Sequence, residues 1–323
     1  MSIRKKIIGT MIFLSLSLFL WGQCPDDLNV QQALHTQDVK TLQATAKELE
    51  NCPQLQDSLA LVYHYLGIFL YQTQLDSAIF YAEQSLKIRK TLFGNEPNLV
   101  LGKSYNNLGV FLGIAKRSLL GKKYLSSAID IYKKIKIPAR VTKSQFELAK
   151  IYIDEGEYEL AKTILEHLAT ATQQLKQERL YALVFIEQGR MLTDLGNYAK
   201  AVGQLELAKN KFDEYYFPKD KAACRVNLGK SFFYLEKYDE AIDNFKEAIA
   251  IYQELGNCDE VAKNYNNLGR TYQKNNNLNL AFQTLQEGVK MAQSCHSKEM
   301  LAQGYDHLGL FFLEKKEYQK ALY

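Results

Sequence analysis

Seven short motifs recur along this chain at an almost constant interval, and that interval limits what the chain can fold into. The pairs are Leu66-Gly67, Leu108-Gly109, Leu148-Ala149, Gln188-Gly189, Leu228-Gly229, Leu268-Gly269 and Leu308-Gly309. Their second members are 42, 40, 40, 40, 40 and 40 residues apart. Twelve residues after each comes another small residue: Gly121, Ala161, Ala201, Ala241, Ala281 and Ala321. The first unit reaches its own, Ala78, one residue early. Four residues further on stand Leu125, Leu165, Leu205, Phe245 and Leu285. Self-similarity at this period is the mark of one supersecondary unit used many times.

The unit has to be a helical hairpin. Proline numbers 5 and glycine 18 among 323 residues, too few breaks for a many-turned β fold. Small side chains at two fixed places let paired helices approach to about 8–10 Å. Large ones such as Phe232, Tyr272 and Phe312 fill the space between neighbours. A single hairpin cannot bury its apolar face alone, so neighbours must stack. Pro138 and Pro218, each eleven residues before Ala149 and Gly229, fall in the connections between units, where a lost helical hydrogen bond is tolerated.

The segment 227–252, NLGKSFFYLEKYDEAIDNFKEAIAIY, resembles a tetratricopeptide repeat, with Leu228, Gly229, Phe232, Tyr238, Ala241, Phe245 and Ala248 at signature positions. Residues 266–292 are the next best match, and the stretch 86–109 is similar to the longer kinesin-light-chain type of unit. The position usually held by tryptophan carries Tyr63, Tyr105, Phe185, Tyr265 and Tyr305, while Gln145 and Arg225 depart from it. The resemblance implies an all-α fold, a right-handed superhelical solenoid of stacked hairpins. The resemblance covers about 60–323, an array of about seven repeats with the last incomplete; ahead of it stand a leader over 1–23 and a degenerate amino-terminal hairpin or cap over 24–59. The chain stops at Tyr323, two residues past Ala321, so it is read as the front of a longer protein.

Residues 1–23 have the form of a secretory signal: Arg4, Lys5 and Lys6, then an apolar run from Ile7 to Trp21. The chain is therefore expected to be exported, to a periplasmic or extracellular space. An uncleaved anchor and a lipoprotein attached through Cys24 remain open alternatives. Without the leader, 37 basic residues face 36 acidic ones, a balance that gives no reason to expect nucleic acid. Export permits disulfides. Cys24 and Cys52 flank one apparent hairpin, so a bridge between them is open, whereas Cys224 falls on a repeating core face and reads as a small hydrophobe.

Enzymatic constellations are missing from the sequence. There is no GxSxG, GxxxxGK[ST], HExxH or GxGxxG, and none of His35, His64, His167, His296 and His307 has a metal-ligand partner at i+4. No catalysis, metal or cofactor is expected.

In a repeat array of the kind resembled, the first helix of each hairpin lines the concave face. The residue after each Gly or Ala forms a column: Ile68, Val110, Lys150, Arg190, Lys230, Arg270, Leu310. Three residues earlier a second column reads Tyr65, Asn107, Glu147, Glu187, Asn227, Asn267, His307. Asparagine both donates and accepts, which suits capture of a peptide backbone. Asn107, Asn227 and Asn267 match the binding asparagine position of the family. The candidate site is thus Asn107, Lys150, Arg190, Asn227, Lys230, Asn266, Asn267 and Arg270, with its positive end at Lys230 and Arg270. A plainer reading competes: Glu147 and Glu187 stand three residues before Lys150 and Arg190 and can neutralise them on the same helix. The expected function is an exported scaffold holding a protein or extended peptide, preferably an acidic one, in its groove. The rivals are a sensory or regulatory array ahead of a missing effector, such as a caspase-like protease or a sensor kinase, and a membrane-associated assembly lipoprotein. Membrane contact is expected only through a lipidated Cys24, an uncleaved leader or an anchor in a missing carboxy-terminal part.

Overall fold

The structure is a computed structural model and describes residues 24–25, 27–94 and 96–321. The leader over 1–23 lies outside the described residues, as do Tyr323 and its neighbour. The described residues form an all-α helical repeat array with no strand among them. They divide into two compact units, one ending at Glu157 and the other beginning at Tyr158.

The amino-terminal unit contains α1 (Asp27–Thr36), α2 (Val39–Leu49), a 3-10 turn over Pro53–Leu55, α3 (Gln56–Leu70), α4 (Leu75–Phe93), α5 (Leu99–Ile114), α6 (Ser118–Lys134) and α7 (Pro138–Asp154). Asp38 caps α2, its carboxylate accepting from Thr41 N at 2.8 Å, and Asn98 caps α5 by accepting from Leu101 N at 2.8 Å. One core runs through this unit, from Val30 and Leu42 through Leu59, Leu66 and Ile79 to Leu108 and Leu112. It also buries a cation. Arg89 is 2% exposed, its Nη1 donates to Ser104 Oγ, and its Nε has no partner. Burial brings its pKa down to about 10, and burial together with this cation holds His64 down at about 3. Cys24 and Cys52 are joined as a disulfide, which ties the chain ahead of α1 to the end of α2. In this arrangement the Cys24 thiol is engaged in the bond.

The carboxy-terminal unit contains α8 (Tyr158–Gln174), α9 (Glu178–Asp194), α10 (Tyr198–Glu214), α11 (Pro218–Tyr234), α12 (Tyr238–Glu254), α13 (Cys258–Lys274), α14 (Leu278–Ser294), α15 (Lys298–Glu314) and the short α16 (Tyr318–Ala321). Its helices α8 to α15 are each 17 residues long, which is why the period is 40. Pro218 opens α11 in its first turn, where its missing N–H costs nothing. The expected small-residue contacts are close. A Cβ added to Gly229 would lie 2.8 Å from the Phe245 ring, and one on Gly189 2.5 Å from Leu205. At Gly309 the nearest atom is 3.6 Å away. Helices end in left-handed residues, for example Gly196 at φ 73° and Glu236 at φ 60°. After α11 the chain turns back with Glu236 N donating to Phe233 O and Lys237 N to Phe232 O, which satisfies the last carbonyls.

A second disulfide, Cys258–Cys295, had no counterpart in the sequence reading. Cys258 begins α13 and Cys295 caps α14, so the bond closes the open end of one hairpin. Cys224 is free and buried, and burial pushes its thiol up to about 12. Among the described residues no helix is long and apolar enough to cross a membrane.

Candidate binding groove

Within the carboxy-terminal unit, α9, α11 and α13 present equivalent faces and enclose a pocket of about 210 Å³. Lys230, Asn267 and Arg270 line it, so three of the expected residues converge there. Helical spacing brings in others that the two columns missed. Thr193 and Asp194 lie one turn beyond Arg190, and Phe233 and Tyr234 one turn beyond Lys230. Reading i+3 and i+4 from the basic column would have found all four. Thr193 Oγ1 and Ser231 Oγ, 2.9 Å apart, link α9 to α11 under the pocket.

The two cations differ in setting. Lys230 is half-buried, and its ammonium is pushed below the usual lysine range. Desolvation is the main cause, with Lys263 and Arg190 adding repulsion against the opposite pull of Glu260 and Asp194. Arg270 is exposed and lies with its guanidinium carbon 5.5 Å from the centre of the Phe233 ring. Burial and, next, the Arg270 charge lower the pKa of His307. Among the described residues Lys230 and Arg270 make no ion pair, whereas Arg190 Nε is 2.8 Å from Glu187. In the amino-terminal unit Lys150 is likewise 2.8 Å from Glu147. Both i,i+3 pairs thus form, and the basic column splits into a neutralised half and an open half.

The asparagines also divide. Asn267 faces the pocket, its Nδ2 making only a long 3.5 Å bond to Asn264 Oδ1. Asn227 spends its amide donor on Ala223 O of its own helix, at 2.9 Å. Asn107 is half-buried in the amino-terminal unit and accepts from Asn106 Nδ2 at 3.4 Å. Asn266 is not a groove residue, a correction to the expected site. It is 2% exposed, with both amide atoms unpartnered, and it is packed where Cβ atoms on Gly288 and Gly304 would lie 2.6 and 3.7 Å from its Oδ1. Its position one residue before Asn267 turns it about 100° away, into the layer between helices.

Family models for the tetratricopeptide repeat match residues 142–174, 180–254 and 220–294. These are tetratricopeptide repeats. No sequence among the curated proteins matches the chain. Solved tetratricopeptide-like structures do. The apo form of the quorum sensor NprR from B. thuringiensis is 15% identical, with a TM-score of 0.71 over 98% of this chain and 89% of that one. A Rap protein complexed with competence and sporulation factor is 19% identical, with a TM-score of 0.63 over 87% and 81%. A STAND protein from Pyrococcus horikoshii with a tetratricopeptide repeat sensor is 15% identical, with a TM-score of 0.63 over 94% of this chain and 49% of that one. At these identities the likeness is one of fold.

Proposed function

We propose that this chain is an exported, non-catalytic scaffold. It holds an extended acidic segment of a protein or peptide in the groove formed by α9, α11 and α13. The observation that carries the reading is the pair Lys230 and Arg270, set around one pocket beside Asn267 and making no ion pair among the described residues. A half-buried ammonium without a counter-ion gains most from a ligand carboxylate, because little water competes with it. Asn267 adds a donor and an acceptor for the ligand backbone. The likeness in fold to a quorum sensor and to a Rap protein solved with its factor supports a ligand-binding role. The leader pattern and the two disulfides support export.

The test is charge reversal at both sites, Lys230→Glu with Arg270→Glu, read by fluorescence anisotropy with a labelled oligo-glutamate peptide. Affinity is expected to fall at least about tenfold with helicity unchanged. Equal binding by the variant would reject the reading. A second reading, a sensory array ahead of an effector, is favoured by the likeness to the repeat sensor of the larger STAND protein. A stop codon directly after Tyr323 in the coding sequence would remove it.

A further inference from the structure

The near-neutral charge of the chain hides a segregation. Between Lys116 and Lys143 there are nine basic residues and one acid, Asp130. The rest of the amino-terminal unit, from Cys24 to Glu157, holds 7 basic and 13 acidic residues. The basic stretch covers α6, its turn and the start of α7. Three of its cations are answered internally: Lys116 by Asp154 at 3.0 Å, Lys122 by Glu157 at 2.9 Å, and Arg117 by Asp76 at 3.7 Å. Among the described residues Lys123, Lys133, Lys134, Lys136, Arg140 and Lys143 make no ion pair, and all but the half-buried Arg140 are exposed.

Helix electrostatics accounts for only part of this. Lys133 and Lys134 lie in the last turn of α6, where the macrodipole favours cations. Arg140 lies in the first turn of α7, where the same dipole disfavours them and no acid compensates. Helix electrostatics leaves the rest of the positive charge at this corner unexplained.

The exposed face of α6 carries apolar groups as well. Its core side is Gly121, Leu125, Ala128, Ile129 and Tyr132. Its outer stripe is Leu119, Leu120, Lys123, Ser126, Asp130, Lys133 and Lys134, with Leu119 80% and Leu120 45% exposed. Exposed leucines and lysines sharing one helical face are what a helix lying in a lipid interface presents: the leucines enter the acyl boundary and the lysines meet the headgroups. A nucleic acid would leave Leu119 in water.

We propose that the outer face of α6, with the α6–α7 corner, docks on an anionic lipid surface, Lys123, Lys133, Lys134, Lys136, Arg140 and Lys143 meeting phosphate headgroups and Leu119 and Leu120 entering the interface. This surface is separate from the groove of the carboxy-terminal unit and does not depend on its reading. Attraction of this kind falls off within a Debye length and is weakened by salt.

The experiment is co-flotation of the full chain with vesicles of phosphatidylcholine containing phosphatidylglycerol, against vesicles of phosphatidylcholine alone. The second set measures what the apolar run of the leader contributes; Arg4, Lys5 and Lys6 stay in every variant, so their share is what the α6 variants leave behind. Salt-sensitive binding to the phosphatidylglycerol vesicles is expected. Lys133→Gln, Lys134→Gln and Lys136→Gln together should weaken it at least about tenfold at unchanged helicity. Leu119→Ser with Leu120→Ser should weaken it by a smaller factor that persists at high salt. Equal binding to both vesicle types overturns the proposal. So does tighter binding to duplex DNA that the leucine variant leaves unchanged and the triple glutamine variant abolishes.

Discussion

The repeats around Arg190 and Lys230 lie side by side in the same unit, share the same packing, and present opposite chemistry. Gly189 lies under Leu205 just as Gly229 lies under Phe245. Yet Arg190 is held by Glu187, and Lys230, with Asn227 in the equivalent place, makes no ion pair among the described residues. One residue, three positions before the cation, decides whether the groove offers a free charge or a satisfied pair. The scaffold and its charge pattern are therefore separable: small residues set the first, and the acid-or-amide choice sets the second.

The strongest test of that separation is steric. Gly189→Leu and Gly229→Leu should each destabilise the unit by about 1–3 kcal/mol or more, because a leucine must displace a packed side chain. Similar losses in thermal unfolding would confirm a shared frame, and a neutral outcome at either site would break it. The next test converts one region into the other. Asn227→Glu with Asn267→Glu should recreate the i,i+3 pairs at Lys230 and Arg270 and weaken an oligo-glutamate ligand at least about tenfold, with melting unchanged. Undiminished affinity would mean that position three before the cation does not govern its availability. The smallest effect is in pH. Lys230 has its folded pKa below the 10.5 of an ordinary lysine, since desolvation disfavours the charged form. The cost of holding it charged is present below the folded pKa and is relieved as pH rises from there towards 10.5, so this group makes stability rise through that alkaline window. Over the same window ligand affinity should fall, and Lys230→Met should remove both trends. Flat profiles in the parent protein would count against a desolvated Lys230.

The array was legible because its register is written in side-chain size: Gly109, Gly229 and Gly269 each stand where a Cβ would meet the Leu or Phe sixteen residues on. The pairing of Lys150 and Arg190 was legible as well, since helical spacing alone brings i and i+3 together. Three things were not. Asn266 reads as a groove residue beside Asn267, but on a helix adjacent residues point about 100° apart, and only the packing around Gly288 and Gly304 shows which of the two is inside. Cys258 and Cys295 are the second case. Placed on the repeat register, they fall at the first residue of one helix and just past the last residue of its partner, which a hairpin brings together. The aromatic side of the pocket, Phe233 and Tyr234, was missed because the columns followed single positions instead of the turn beyond them.

The Cys258–Cys295 bond has a consequence for how the carboxy-terminal unit comes undone. Its 37-residue span holds Asn267 and Arg270, and closing a loop of that size removes roughly 4 kcal/mol of freedom from the unfolded chain. Unravelling that begins at the far end meets a stitched seam before it reaches those two residues. In an oxidising medium, part of the pocket wall is thereby the segment best insulated from fraying next door.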